Sequence, residues 1–162
     1  MITSRSPLSL YVFKLYLKQW QELTEKIKEI KNELDLQANN DPKTAIYLSV
    51  PGVGEITARI LSNELGDMSQ FSNEKKLFSY TGLTPCEYSS GEHIRQGHIT
   101  KQGKTILRKI LVQSAWTAIK RDKSLEDIYN RIASSAGGKR AIIGIARRLV
   151  GRIRACLQTG TL

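Results

Sequence analysis

Large apolar residues near the start of the chain (Phe13, Tyr16, Trp20, Leu23, Ile27, Ile30 and Leu34) recur at steps of three and four. That is the a/d seam of a coiled coil, sustained for about three heptads. Between the seam positions lie Lys18, Glu22, Glu25, Lys26, Lys28, Glu29, Lys31 and Glu33, a solvated and ion-paired face. Two readings follow. The helix packs on its own domain, or it forms an intermolecular or antiparallel coiled coil, giving a homo-oligomer through residues 13–34. Asn39, Asn40 and Asp41 then break the pattern, and Pro42 suits the first turn of a new helix. The expected division is a coiled-coil helix over 1–40 and a helical domain over 41–162.

The second stretch also reads as mainly α. Pro51-Gly52-Val53-Gly54 has the form of the turn in a helix-hairpin-helix, in which glycines allow a tight turn and let backbone amides approach a phosphate. Gly52 and Gly54 are therefore candidate nucleic-acid contacts. A plain core corner is the other reading of so short a motif. Residues 55–65 give the following helix, with Ile56, Ile60 and Leu61 inward and Gly66 as its stop. Ser72 or Asn73 caps a short helix running into Thr81-Gly82. Residues 83–99 lack helical periodicity and read as an irregular loop or a small β-hairpin.

Helical spacing returns after Gly103. Leu107, Leu111, Ala115 and Ala118 share one face, Leu125, Ile128 and Ile132 another, and Ile142, Ile145, Leu149, Ile153 and Leu157 a third. Gly137-Gly138 separates the last two segments.

Charge narrows the function classes. The 162 residues carry a net charge of +10, which suits a nucleic-acid partner. The positive charge is also clustered. No carboxylate occurs from His93 to Arg121, a span holding Arg95, Lys101, Lys104, Arg108, Lys109, Lys120 and Arg121. None follows Asp127, whereas Arg147, Arg148, Arg152 and Arg154 do. These four fall off the apolar stripe of the last helix, and arginines without carboxylate partners favour phosphate binding over a merely solvated face. Cys86 and Cys156 lie far apart with no zinc-like pairing, so a reduced cytoplasmic protein is expected. No signal-peptide pattern or bilayer-length apolar run is present, and no membrane role is expected.

Just before the first basic run, Ser89 and Ser90 stand against Gly91. Most such triplets are turns whose hydroxyls bond nearby backbone. An exposed hydroxyl beside a basic helix is also what an enzyme attacking a phosphodiester needs: the hydroxyl is the nucleophile, and the cations neutralise charge built up in the transition state.

The ordered set formed by Pro51-Gly52-Val53-Gly54, Thr81-Gly82-Leu83-Thr84-Pro85, Ser89-Ser90-Gly91, the run from Ile99 to Lys104 and Leu107-Arg108-Lys109 resembles the C-terminal domain of one group of bacterial insertion-sequence transposases. Those enzymes join an N-terminal RuvC-like DEDD nuclease domain to a C-terminal serine domain and are bridge-RNA-guided recombinases. The resemblance covers roughly residues 45–157. It implies DNA strand cleavage and rejoining by a serine that forms a 5′-phosphoserine intermediate. Ser90, directly before the glycine, is the better match, with Ser89 as the substitute. Arg95, Lys101 and Arg108 would be phosphate neighbours, and His93 or His98 either moves a proton or is a loop or DNA-backbone histidine. The resemblance further implies DNA and a guide RNA as partners, a bacterial, nucleoid-associated location, and a coiled coil between the two domains, where the seam stands here.

One departure is plain. The family's four metal-binding carboxylates have no counterpart here, since Glu55, Glu64, Asp67 and Glu87 recreate no such set. No cofactor is therefore expected in this chain, with magnesium expected only in the nuclease domain. A truncated copy or an alternatively started fragment is expected. A non-catalytic nucleic-acid-binding module and a coiled-coil interaction protein are the other classes the sequence leaves open.

Overall fold

The computed structural model describes residues 7–39, 41–87 and 96–159. The chain divides into two compact units, residues 1–41 and 42–162. The described part of the first is the helix α1 (Pro7–Asn39). Its seam residues are exposed, Trp20 by 64% and Leu23 by 60%. On its polar face Lys18 pairs with Glu22 at 3.8 Å and Lys28 with Glu25 at 3.6 Å, one turn apart in each case.

The described residues of the second unit are helical apart from one short hairpin, so the mainly α expectation holds. Its elements are α2 (Pro42–Leu48), α3 (Glu55–Leu65), α4 (Glu74–Thr81), β1 (Pro85–Glu87), β2 (Gln96–Ile99), α5 (Thr105–Arg121), α6 (Lys123–Ala136) and α7 (Gly138–Thr159). The two strands pair antiparallel, with Pro85 opposite Ile99 and Glu87 opposite Gln96.

The apolar stripes expected for the last three helices meet. Leu107, Leu111, Ala115 and Ala118 of α5, Leu125 of α6 and Ile145, Leu149 and Ile153 of α7 are fully buried in one core. Ile128, Ile132 and Leu157 are only partly covered. Links of a single residue force these helices into antiparallel neighbours. Asp122 ends α5 and caps α6, its carboxylate accepting from the Ser124 amide at 2.9 Å and the Leu125 amide at 3.3 Å. Gly137 separates α6 from α7.

The helical pair α2–α3 packs on this core. Tyr47, fully buried, donates from its hydroxyl to the Gly66 carbonyl at 2.8 Å and so ties the start of the pair to its end. One inward assignment fails: Ile56 is 59% exposed, while Ala58 and Leu61 are fully buried. The helix turns its 58–61–65 stripe to the core, and Ile56, at the second helical position, falls beyond the reach of that stripe.

Candidate nucleic-acid interface

The hairpin β1–β2 is anchored at its base by a knot of backbone. Asn73 caps α4, accepting from the Lys76 amide at 3.0 Å, and Gly82 closes it with its amide toward the Phe78 and Ser79 carbonyls. The chain then runs out through β1 and returns through β2, where the Thr100 amide donates to the Thr84 carbonyl at 2.8 Å. It passes Gly103, which has φ 118° and lies against the Tyr80 carbonyl so closely that a side chain would overlap it. The next amide, of Lys104, donates to that carbonyl at 3.0 Å. The end of α4 and the start of α5 are thereby fastened together, and both strands rise from the joint. The connection between the strands, residues 88–95, lies outside the described residues, and with it Ser89, Ser90, His93 and Arg95. His98, on β2, is exposed.

The cations at this joint are partly engaged. Arg108 donates to the Lys101 carbonyl at 3.0 Å and the Thr105 hydroxyl at 3.3 Å, which braces the turn into α5. Lys101 takes a left-handed conformation, φ 56°, with its side chain exposed. Lys104 forms an ion pair with Glu64 of α3 and lies 5.6 Å from the centre of the Tyr80 ring. Hydrogen bonding to Glu64, and secondly to Tyr80, raises its pKa above the ordinary lysine value. This corrects the expectation of a carboxylate-free cation, since the partner comes from forty residues earlier in the chain. Lys109 is exposed.

The helical hairpin of residues 42–65 contributes differently from each glycine. Gly52, φ 84°, faces α5 at Ser114 and Ala118, and a side chain would overlap the Ser114 carbonyl. Its role as a close-packing residue accounts for the glycine without a phosphate. Gly54, the N-cap of α3, has open space where a side chain would point. The first turn beyond it carries Glu55, an acid that already complements the positive end of the helix. Ser114 is ten residues beyond Lys104 along α5, about 15 Å at helical rise. The structure therefore brings Lys101, Lys104 and Arg108 together but sets Gly52 and Gly54 apart from them.

The arginines of α7 form the other basic group. Arg147 lays its guanidinium over the Phe78 ring at 4.4 Å. Arg148 is exposed. Arg152 pairs with Asp122 at 3.2 Å, again a correction to the carboxylate-free reading. Burial opposes the charge on Asp122, but hydrogen bonds from the Leu125 amide, Arg152 and the Ser124 amide outweigh it and hold the carboxyl below its usual range. Arg154 turns away to Gln158 at 3.1 Å and to the Phe71 carbonyl at 3.3 Å, so it braces the fold as well as adding charge. Between α4, α6 and α7 opens a cleft of about 560 Å³, lined among others by Glu74, Phe78, Arg147, Arg148 and Arg152. Sequence reasoning missed this cleft. Its available signals were Glu74 and Phe78 one turn apart and two glycines, Gly144 and Gly151, inside a strongly helical segment.

Among the described residues no three His, Cys, Asp or Glu side chains gather as a metal site requires, and no helix is long and apolar enough to cross a membrane.

The comparisons with known proteins bear on the same region. Residues 45–130 match the model of the transposase IS116/IS110/IS902 family. The transposase for insertion sequence element IS1328 of Yersinia enterocolitica is 35% identical over 117 residues, 72% of this chain and 34% of the relative. The insertion element IS110 uncharacterized 43.6 kDa protein of Streptomyces coelicolor is 31% identical over 142 residues, 83% of this chain and 35% of the relative. The pilin gene-inverting protein of Moraxella bovis is 28% identical over 156 residues, 91% of this chain and 48% of the relative. The matched stretch runs from α2 through the hairpin and α5 into α6. The chain belongs to the IS116/IS110/IS902 transposase family. It spans about a third of the length of the first two of these curated relatives.

Proposed function

We propose that this chain is the DNA-cleaving and rejoining serine domain of an insertion-sequence transposase, with Ser90 as the nucleophile and Ser89 its substitute. The observation that carries the reading is the family match over residues 45–130, which includes the Ser89-Ser90-Gly91 motif. The backbone joint supports it, because the strands leading to the motif leave the fold beside Lys101, Lys104 and Arg108. Relatives named for insertion-sequence movement and for gene inversion fit one chemistry, since both events require DNA to be cut and rejoined.

In this reading the Ser90 hydroxyl oxygen attacks a DNA phosphorus. The Oγ–P bond forms, the bond from phosphorus to the 3′ oxygen breaks, the serine proton passes to a base, and the departing 3′ oxygen is protonated. The DNA end is left as a 5′-phosphoserine ester, ready for attack by another 3′ hydroxyl. A serine hydroxyl is a weak nucleophile at neutral pH, so it needs neighbouring cations and a base. Lys101, Arg108 and Arg95 supply charge, with Lys104 steadied by Glu64. Lys109 and the α7 arginines hold phosphates further along the strand. DNA, a guide RNA and a second copy docked through residues 13–34 are the partners of the intact assembly.

The test supplies the remainder of a full-length relative, with its RNA and DNA, and seeks a covalent protein–DNA adduct. Ser90→Ala should abolish the adduct and leave DNA binding intact. An adduct lost only with Ser89→Ala moves the assignment by one residue. Survival in the double variant overturns the serine mechanism.

A further inference from the structure

We propose that the cleft between α4 and α7 seats one unpaired nucleotide of a nucleic-acid strand, a guanine by preference, an inference that rests on the nucleic-acid reading above. The floor is the first argument. Gly144, Gly151 and Ala155 lie along the cleft side of α7. A methyl group added at Gly144 would meet only the tip of Ile132 at 3.4 Å, and at Gly151 only the carboxylate end of Glu74 at 3.1 Å. Both neighbours are ends of flexible side chains, so packing does not demand glycine at either place. Glycine inside a helix is unfavourable relative to alanine. What the two glycines provide is depth, since they leave the helix backbone as the cleft floor.

The walls carry complementary chemistry. Arg147, which lines the cleft, has its guanidinium carbon 4.4 Å from the centre of the Phe78 ring, and its Nε–H is buried with no hydrogen-bond partner. Arginine and aromatic side chains side by side on one wall are the groups on which unstacked bases are received. Arg148 stands exposed at the rim, and Arg152 is steadied by Asp122. These two can hold the phosphate attached to that base.

Glu74 decides between a bare phosphate and a nucleotide. It stands in the cleft one helical turn before Phe78. A carboxylate repels a phosphate but accepts hydrogen bonds, and it has no donor of its own. Guanine presents two adjacent N–H donors on one edge, a match for the two carboxylate oxygens. A volume of about 560 Å³ admits a nucleotide. A base inside a duplex is stacked on both sides and paired along that edge, so only an unpaired one can enter.

The experiment measures binding of the full chain to short fluorescent oligonucleotides by anisotropy. The probes are a guanine-containing single strand as DNA and as RNA, its guanine-free counterpart, and a fully paired duplex. Gly144→Ala combined with Gly151→Ala should raise the melting temperature, because helix propensity improves, yet weaken the guanine-containing single strand by about tenfold. Affinity for the duplex should change far less. Glu74→Gln should erase the preference for guanine while single strands still bind. If single-strand affinity is untouched in the double alanine variant, or if that variant misfolds and Glu74→Gln leaves the guanine preference unchanged, the proposal is overturned. Wild-type binding to duplex alone overturns it while the nucleic-acid reading stands. Binding to no probe overturns both. The DNA and RNA arms identify which strand supplies the nucleotide.

Discussion

Helices α1 and α7 have the same kind of sequence and opposite surroundings. Each is long, 33 and 22 residues, and each carries an apolar stripe at steps of three and four. In α7 the stripe is covered: Ile145, Leu149 and Ile153 are fully buried against α5 and α6, which single-residue links hold beside it. In α1 the corresponding stripe is exposed, with Ile27 at 53% and Ile30 at 60%. Periodicity therefore says where an apolar face lies and not what covers it. Covering α7 is written into the chain as two neighbouring helices. An exposed seam of aromatic and branched residues is the kind of surface that a second helix of the same pattern buries.

Truncating one residue in each stripe tests that contrast most directly. Leu149→Ala should cost about 2–5 kcal/mol, from lost burial and a cavity among well-packed neighbours. Leu23→Ala, at a concentration where light scattering shows a monomer, should change stability by no more than about 0.5 kcal/mol. Urea unfolding of both variants gives the comparison. Equal losses would mean that the α1 seam is covered as thoroughly as the core.

Charging the seam sharpens the same point. Leu23→Asp with Ile27→Asp should abolish a concentration-dependent oligomer in sedimentation or light scattering and leave the helical content of residues 42–162 in place. A wild-type chain that is monomeric at every accessible concentration would remove residues 13–34 as an assembly seam.

The contrast also marks what was legible in the sequence. The α5, α6 and α7 stripes, a cap at Ser72 or Asn73 (Asn73 in the structure) and the break at Gly137 follow from local spacing, because each depends on residues within a turn or two. The ion pairs did not follow. Lys104 with Glu64 and Arg152 with Asp122 join residues forty and thirty apart, and only the folded path brings them together. Runs that look free of carboxylates in one dimension are therefore partly compensated in three. The cleft was hidden for a related reason: its walls come from α4 and α7, more than sixty residues apart, and glycines in a helix read as weaknesses until the opposing wall is in view. Ser89, Ser90 and Arg95 lie outside the described residues, so for them the motif remains the argument.

The last prediction isolates the corner that seats α7 against α5 and α6. Asp122 caps α6 through two backbone amides and also holds Arg152, so one carboxylate serves a helix end and a helix contact. Asp122→Ala removes both roles and should cost about 1–2 kcal/mol at neutral pH, the usual range for a lost cap. Asp122→Asn keeps a capping oxygen and should cost less, the remainder being the exposed ion pair, worth under about 1 kcal/mol. The sign of the pH dependence is fixed by the lowered pKa of the folded carboxyl. A depressed carboxylate pKa gives stability that is present above the unfolded value, about 4, and is lost as pH falls through the folded value. The gap between wild type and Asp122→Asn should therefore be constant near neutrality and narrow below about pH 4. Matched urea titrations at neutral and acidic pH measure it. A gap that widens in acid would show that the carboxyl is better held protonated, contrary to the hydrogen bonds it accepts. No such pH dependence is expected from Leu23→Ala in α1, since that change removes apolar surface and no ionisable group.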